Sequence, residues 1–247
     1  MNIRDSVAFV TGANRGIGLA FAQALLAGGA RKVYAAARQP ERITLATSGF
    51  TRVESVRLDV TNPEDVAAAA RQCTDVNLLI NNAGIALWTG FLAPGSVEAA
   101  RSEMETNYYG PLLLSRAFAP VLAKNGGGAI VNVLSVLSWV AVPSAGTYGA
   151  SKAAAWALTN WLRTALRGQG TQVVGVHAGP VDTDMASRLT LPKVTPIDVV
   201  RQALRAVEAG RDEVLADDMT RQVKAGLSDR EGIYLNFDPE RAVLAAK

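Results

Sequence analysis

Seven short strand-like runs, each separated from the next by a stretch of helical character, constrain this chain more than any other feature. Residues 6–10, 32–37, 53–58, 76–80, 128–134, 171–177 and 212–216 have the composition of strands. The segments between them read as helices. Asn62-Pro63-Glu64-Asp65, for example, sets a capping side chain and a first-turn proline ahead of Val66-Ala67-Ala68-Ala69-Ala70. Alternation of this kind predicts an α/β fold, a Rossmann-like doubly wound parallel seven-stranded sheet with helices on both faces. At 247 residues the chain is the size of one large α/β domain, and no repeat, low-complexity segment or linker divides it. Residues 1–247 are therefore expected to form a single domain. Gly126-Gly127-Gly128 is read as a helix-ending turn before the fifth strand.

The first strand-like run, Ser6-Val7-Ala8-Phe9-Val10, leads directly into Thr11-Gly12-Ala13-Asn14-Arg15-Gly16-Ile17-Gly18 and then into the helical pattern Leu19 to Leu26. Strand, glycine turn, helix is the context in which amides at a helix N-terminus hold a pyrophosphate. Gly12 suits a sharp turn, Gly16 a close approach of phosphates, and Gly18 tight packing of the helix on the sheet. Further on, Tyr148 and Lys152 stand four residues apart in Thr147-Tyr148-Gly149-Ala150-Ser151-Lys152. A helix puts such a pair on one face. An ammonium beside a phenol favours the phenolate and is expected to lower the tyrosine pKa. Alone, the pair is of a kind that chance often places on a helix surface.

The G-x-x-x-G-x-G turn and the Tyr-x-x-x-Lys pair together resemble the short-chain dehydrogenase/reductase superfamily, in its compact single-domain branch. The resemblance extends through Asp59 in Leu58-Asp59-Val60, the Asn81-Asn82-Ala83-Gly84 motif, Asn107 and Gly110. It includes Ser135, thirteen residues before Tyr148. It implies a catalytic tetrad of Asn107, Ser135, Tyr148 and Lys152. Tyr148 is then the general acid, Ser135 holds the substrate oxygen, Lys152 binds the nicotinamide ribose and tunes the tyrosine, and Asn107 holds a water that resupplies the proton. It assigns a cofactor to Gly12, Asn14, Arg15, Gly16, Ile17 and Gly18, to Arg38, Asp59 and Val60, and to Asn82, Ala83 and Gly84. Tyr148, Lys152, Gly179, Val181 and Thr183 complete that set.

Relatives that prefer NAD carry an acid at the end of the second strand. Here Lys32-Val33-Tyr34-Ala35-Ala36-Ala37 ends in alanine, and Arg38 follows. A guanidinium clamps a phosphate with paired hydrogen bonds, so Arg38 with Arg15 implies NADP(H). Beyond the sixth strand the chain departs from the family: Ala178-Gly179-Pro180 stands where Pro-Gly is usual.

The expected substrate walls are apolar: Ala86, Leu87 and Trp88; then Val136, Leu137, Trp139 and Val140; then Met185 to Leu191. Trp88, Leu137, Trp139 and Met185, with Ser135 and Tyr148, are the candidate substrate contacts. They suggest a hydrophobic ketone or aldehyde, or the matching secondary alcohol. Met185 to Pro196 is read as a lid. A 3-oxoacyl-thioester reductase is the nearest alternative, because Ser187, Arg188 and Lys193 suit an anionic tail. A regulator that binds NADP(H) without turnover is a further one, and an intact glycine turn disfavours a halohydrin lyase.

One histidine in the whole chain, His177, speaks against Ser-His-Asp chemistry and against a histidine-rich metal site. His177 is read as structural or as a wall of the cleft. A lone Cys73 allows no internal disulfide, and no leader or spanning segment is read, so a cytoplasmic protein off the membrane is expected. A net charge of +3 without a basic stripe argues against nucleic acid. The resemblance implies a homodimer or homotetramer, with Ala153-Ala154-Ala155-Trp156 suited to the contact. The region from Asp212 onward reads as a last strand, a short helix and a tail without chemistry.

Overall fold

The computed structural model describes residues 1–46 and 51–240. The end of the expected tail, residues 241–247, lies outside the described residues. In chain order the elements are β1 (Val7–Thr11), α1 (Gly16–Ala27), β2 (Lys32–Ala37), α2 (Glu41–Ala46), β3 (Val53–Arg57), α3 (Pro63–Gln72) and β4 (Leu78–Asn81). Then come α4 (Ser96–Met104), a π turn (Glu105–Tyr109), α5 (Gly110–Lys124), β5 (Gly128–Val133), α6 (Gly146–Ala165) and β6 (Thr171–His177). α7 (Pro196–Glu208), β7 (Glu213–Leu215) and α8 (Asp218–Gly226) follow.

All the strands pair in parallel, in the order β3-β2-β1-β4-β5-β6-β7. Side chains alternate across β1. Val7 and Phe9 join one core with Val66, Leu114, Phe118 and Leu158, while Ala8 and Val10 join another with Phe21, Leu25, Val199 and Val207. Both faces are covered, which is why the central strands β1 and β4 are buried along nearly their whole length, whereas the edge strand β3 carries Glu54, Ser55 and Arg57. At the edges of elements the local chemistry acts as read. The Asn62 side chain accepts from the Glu64 and Asp65 amides with Pro63 in the first turn, and Gly126, Gly127 and Gly128 all have positive φ.

Strand order reverses between β1 and β4. The chain leaves these neighbours toward opposite sides, so a crevice opens at their C-terminal ends. The glycine turn after β1, the Asn82-Ala83-Gly84 segment after β4, Ser135 after β5 and Gly179 after β6 all meet there.

Candidate active site

A cavity of about 1500 Å³ occupies this crevice. Its floor is built by the glycine turn. Gly12 has φ of 65°, a conformation that a β-carbon disfavours. Gly18 lies behind the turn, where a β-carbon would stand 2.2 Å from the Gly12 carbonyl oxygen and 2.5 Å from Asn82 Nδ2. The Thr11 hydroxyl locks this floor to the next strand by accepting the Asn82 and Ala83 amides at 2.9 and 3.0 Å. α1 begins without a side-chain cap and without an acid in its first turn, so its leading amides suit an anionic group. Asn14, Arg15, Gly16 and Ile17 line the cavity beside it.

Arg38, Asp59 and Val60 line the wall as well. Burial works against the Asp59 carboxylate. Hydrogen bonds from the Thr61 backbone and hydroxyl, with Arg38 and Arg57 nearby, outweigh it and hold the carboxyl below its usual range. Arg15, which lines the cavity, pairs across the cleft mouth with Asp184 at 3.1 Å. Both partners are mostly exposed, so the pair contributes little to stability.

Ser135, Tyr148 and Lys152 converge on the same cavity. Tyr148 and Lys152 lie on α6 and both are buried. The expected pKa relation is not what the geometry gives. Burial pushes the Tyr148 phenol up to about 12, with a hydrogen bond to Ser135 pulling back and Glu103 adding to the rise. Lys152 donates to the Val133 carbonyl at 2.9 Å, and its nitrogen is 5.8 Å from the tyrosine ring centroid. Burial lowers its pKa to about 8. The cost of desolvating both groups thus exceeds the attraction of cation for phenolate. Ser135 also caps the short 3-10 turn Val136–Ser138.

Asn107 stands behind Gly84, off the cavity wall, in the π turn between α4 and α5. Its side chain accepts from the Ile85 amide and donates to the Ile85 carbonyl and the Ser151 hydroxyl, each at 2.9 Å. The side chain thus clamps the segment after β4 to α6.

Among the candidate substrate contacts, Trp88, Leu137 and Met185 line the cavity. Trp139 does not. It turns away to stack on His177, with ring centroids 3.8 Å apart, and meets Trp156 edge-on at 6.1 Å. Ala86, Leu87 and Val140 are likewise absent from the wall, while Val142 and Ser144 are on it. His177 is fully buried behind Ser135, its Nδ1 3.2 Å from the Ser135 carbonyl oxygen, and is structural rather than a cleft wall. Burial drops its pKa to about 3, so the imidazole is neutral.

The C-terminal region also contributes, contrary to its reading as inert. Met219, Phe237 and Pro239 reach the wall, and Asp217, the cap of α8, accepts the Gly179 amide at 2.7 Å. No local signal marks these residues, because their role depends on where the last helix folds back. Val181 and Thr183 stand on the wall with Gly179. The segment read as a lid closes at its base through a Val181–Val194 bridge, and Met185, Leu189 and Leu191 from it face inward.

Residues 6–193 match the short chain dehydrogenase family. The chain is 31% identical to dehydrogenase/reductase SDR family member 7B of Danio rerio, over 95% of this chain and 82% of that protein. It is 32% identical to 1-deoxy-11-beta-hydroxypentalenate dehydrogenase of Streptomyces exfoliatus, over 96% and 86%. A solved short chain dehydrogenase from Burkholderia cenocepacia J2315, in complex with NADP, superposes with a TM-score of 0.91. It is 44% identical, covering 97% of this chain and all of that one (100%). A short chain dehydrogenase/reductase from Burkholderia phymatum, in complex with NAD, gives 0.84 at 26% identity, over 97% and 98%.

Proposed function

Because this chain belongs to the short-chain dehydrogenase/reductase family and is an oxidoreductase, we propose that it reduces a hydrophobic ketone or aldehyde with NADPH. Run in reverse, it would oxidise the corresponding secondary alcohol. The observation that carries this reading is the meeting of Ser135, Tyr148 and Lys152 with the glycine turn and Arg38 on one cavity.

The residues present fit a nicotinamide dinucleotide. The uncapped start of α1 and the close-packed Gly12–Gly18 turn suit the pyrophosphate. Arg38, with no acid closing β2, suits a 2′-phosphate. Lys152, with Gly84 beside it, suits the ribose. Bound there, the reduced cofactor supplies the hydride that the carbonyl carbon accepts. Ser135 holds the carbonyl oxygen through its hydroxyl as negative charge builds on it. Tyr148 gives that oxygen its phenolic proton, completing the alcohol. A phenol kept protonated by burial is the form that carbonyl reduction requires. Met185, Leu189 and Leu191 give the cavity an apolar side for the substrate.

The test is NADPH and NADH oxidation against aryl ketones, aldehydes and acetoacetyl thioesters. The reading expects turnover of apolar ketones with NADPH preferred, and loss of that preference in Arg38→Asp. Turnover confined to the thioester would instead favour an oxoacyl reductase. Tight NADPH binding with no turnover at all would favour a sensor. Equal loss of both cofactors in Arg38→Asp would refute the phosphate clamp.

A further inference from the structure

Glu103 is completely buried near the end of α4, a place where a charge is costly and needs a partner. One of its carboxylate oxygens accepts the Leu87 amide at 2.7 Å, and the other has no hydrogen-bond partner. Asn107 lies four residues further on, and it clasps Ile85 through both amide and carbonyl. The two side chains thus grip alternate residues of the segment that runs from Asn82-Ala83-Gly84 to Trp88.

Trp88 then has φ of 53°, the sole positive value outside glycine among the described residues. A bulky side chain disfavours that conformation strongly. Just beyond, the Thr89 carbonyl accepts both the amide and the hydroxyl of Thr147, the residue before Tyr148. Trp88 is therefore held between an anchor on α4 and another on α6. Its ring faces the cavity with its centroid 6.0 Å from that of Tyr148, tilted by 34°. A wall with no task needs neither a strained backbone nor a buried carboxylate to hold it; strain over-determined in this way at a cleft belongs to pre-organisation.

We infer that Glu103 is a positioning residue that fixes Trp88 as a rigid apolar wall beside the Tyr148 phenol. This wall selects ketones that carry a flat apolar group, aryl or cyclic, next to the carbonyl. The inference rests on the carbonyl-reductase reading of the cleft. A ring set against a fixed indole packs at the offset or tilted spacings aromatic pairs prefer. Because the indole is already immobile, binding does not have to order it.

The experiment compares the unmodified full chain with Trp88→Ala, Glu103→Ala and Glu103→Gln, using NADPH oxidation with acetophenone and with 2-butanone. Glutamine keeps an acceptor oxygen for the Leu87 amide, and alanine removes it. Trp88→Ala and Glu103→Ala are expected to raise the acetophenone KM about tenfold, with a much smaller rise for 2-butanone. Glu103→Gln should restore the acetophenone value. A second readout needs no turnover: the ¹⁹F resonance of 5-fluorotryptophan at position 88, assigned by its loss in Trp88→Ala. It should shift or broaden in Glu103→Ala and return in Glu103→Gln. An unchanged resonance and KM in Glu103→Ala, or an equal KM rise for both ketones, overturns the inference. If no ketone is reduced, the carbonyl-reductase reading falls and the resonance decides the positioning role by itself. If Glu103→Ala does not fold, the two ketones with Trp88→Ala decide selectivity and Glu103→Gln decides whether the acceptor oxygen suffices.

Discussion

At the scale of single residues, two groups set four positions apart have their protonation decided by burial rather than by each other. Tyr148 is raised to about 12 and Lys152 lowered to about 8. Near pH 7 the phenol is therefore protonated and the ammonium largely charged. The sign of the pH dependence follows from which form each direction needs. Reduction uses the phenol, so its kcat should stay flat between pH 6 and 7.5. Alcohol oxidation uses the phenolate, whose small fraction grows about tenfold per pH unit, so that rate should climb. Initial rates in both directions check this, and an oxidation rate independent of pH would remove tyrosine as the base. Tyr148→Phe deletes the proton donor while keeping the ring that packs on Trp88. Its kcat should fall by roughly 10²–10⁴, with NADPH affinity, measured by fluorescence titration, nearly unchanged.

At the scale of elements, the glycine turn and α1 are one rigid unit because Gly18 has no side chain. Gly18→Ala would drive a β-carbon into the Gly12 carbonyl oxygen and the Asn82 side chain. That would disturb the 2.9 Å hydrogen bond from Asn82 to the Thr11 carbonyl. Overpacking of this kind costs about 1–3 kcal/mol, which for a chain this long lowers Tm by roughly 2–12 °C. Thermal melts with and without NADPH check it, because the loss should be larger in the ligand-induced shift than in the free protein. Most of this unit was legible in sequence. β2 and β6 occupy the spans expected of them. β4 starts later than expected, and the Asn77 side chain just before it accepts the Val7 amide. Such a side-chain-to-backbone contact joins residues seventy apart in sequence, and no window of local composition contains it.

At the scale of the whole molecule, what remains outside the core is as informative as the core. Ala155 of the stretch expected at a subunit contact is buried within the chain, and Trp156 packs on Trp139. Trp161 of α6, Val97 of α4 and Tyr109 of the π turn are exposed instead, on elements that pack together. We propose that a second copy covers this face. Light scattering should report a dimer or larger, and Trp161→Glu should shift it toward monomer. A monomer at all concentrations would exclude the contact. Among the described residues no helix is long and apolar enough to cross a membrane.

The sequence by itself determined the seven strands, the parallel alternation, the glycine turn at the head of α1 and the meeting of Ser135, Tyr148 and Lys152 with that turn at one crevice. Each of these is written in short-range terms: apolar runs, glycine spacing, capping residues and one helical turn between Tyr148 and Lys152. Tertiary structure alone decided that Trp139 stacks inside on His177, that Arg15 pairs with Asp184 and that Met219 and Phe237 close the cavity. It also decided that Glu103 holds the segment leading to Trp88. Where a loop side chain points, and how much water a titratable group loses, depend on segments far apart in the chain arriving at one place. No local pattern encodes that arrival, and desolvation, which sets the Tyr148 and Lys152 pKa values, exists only once it has happened.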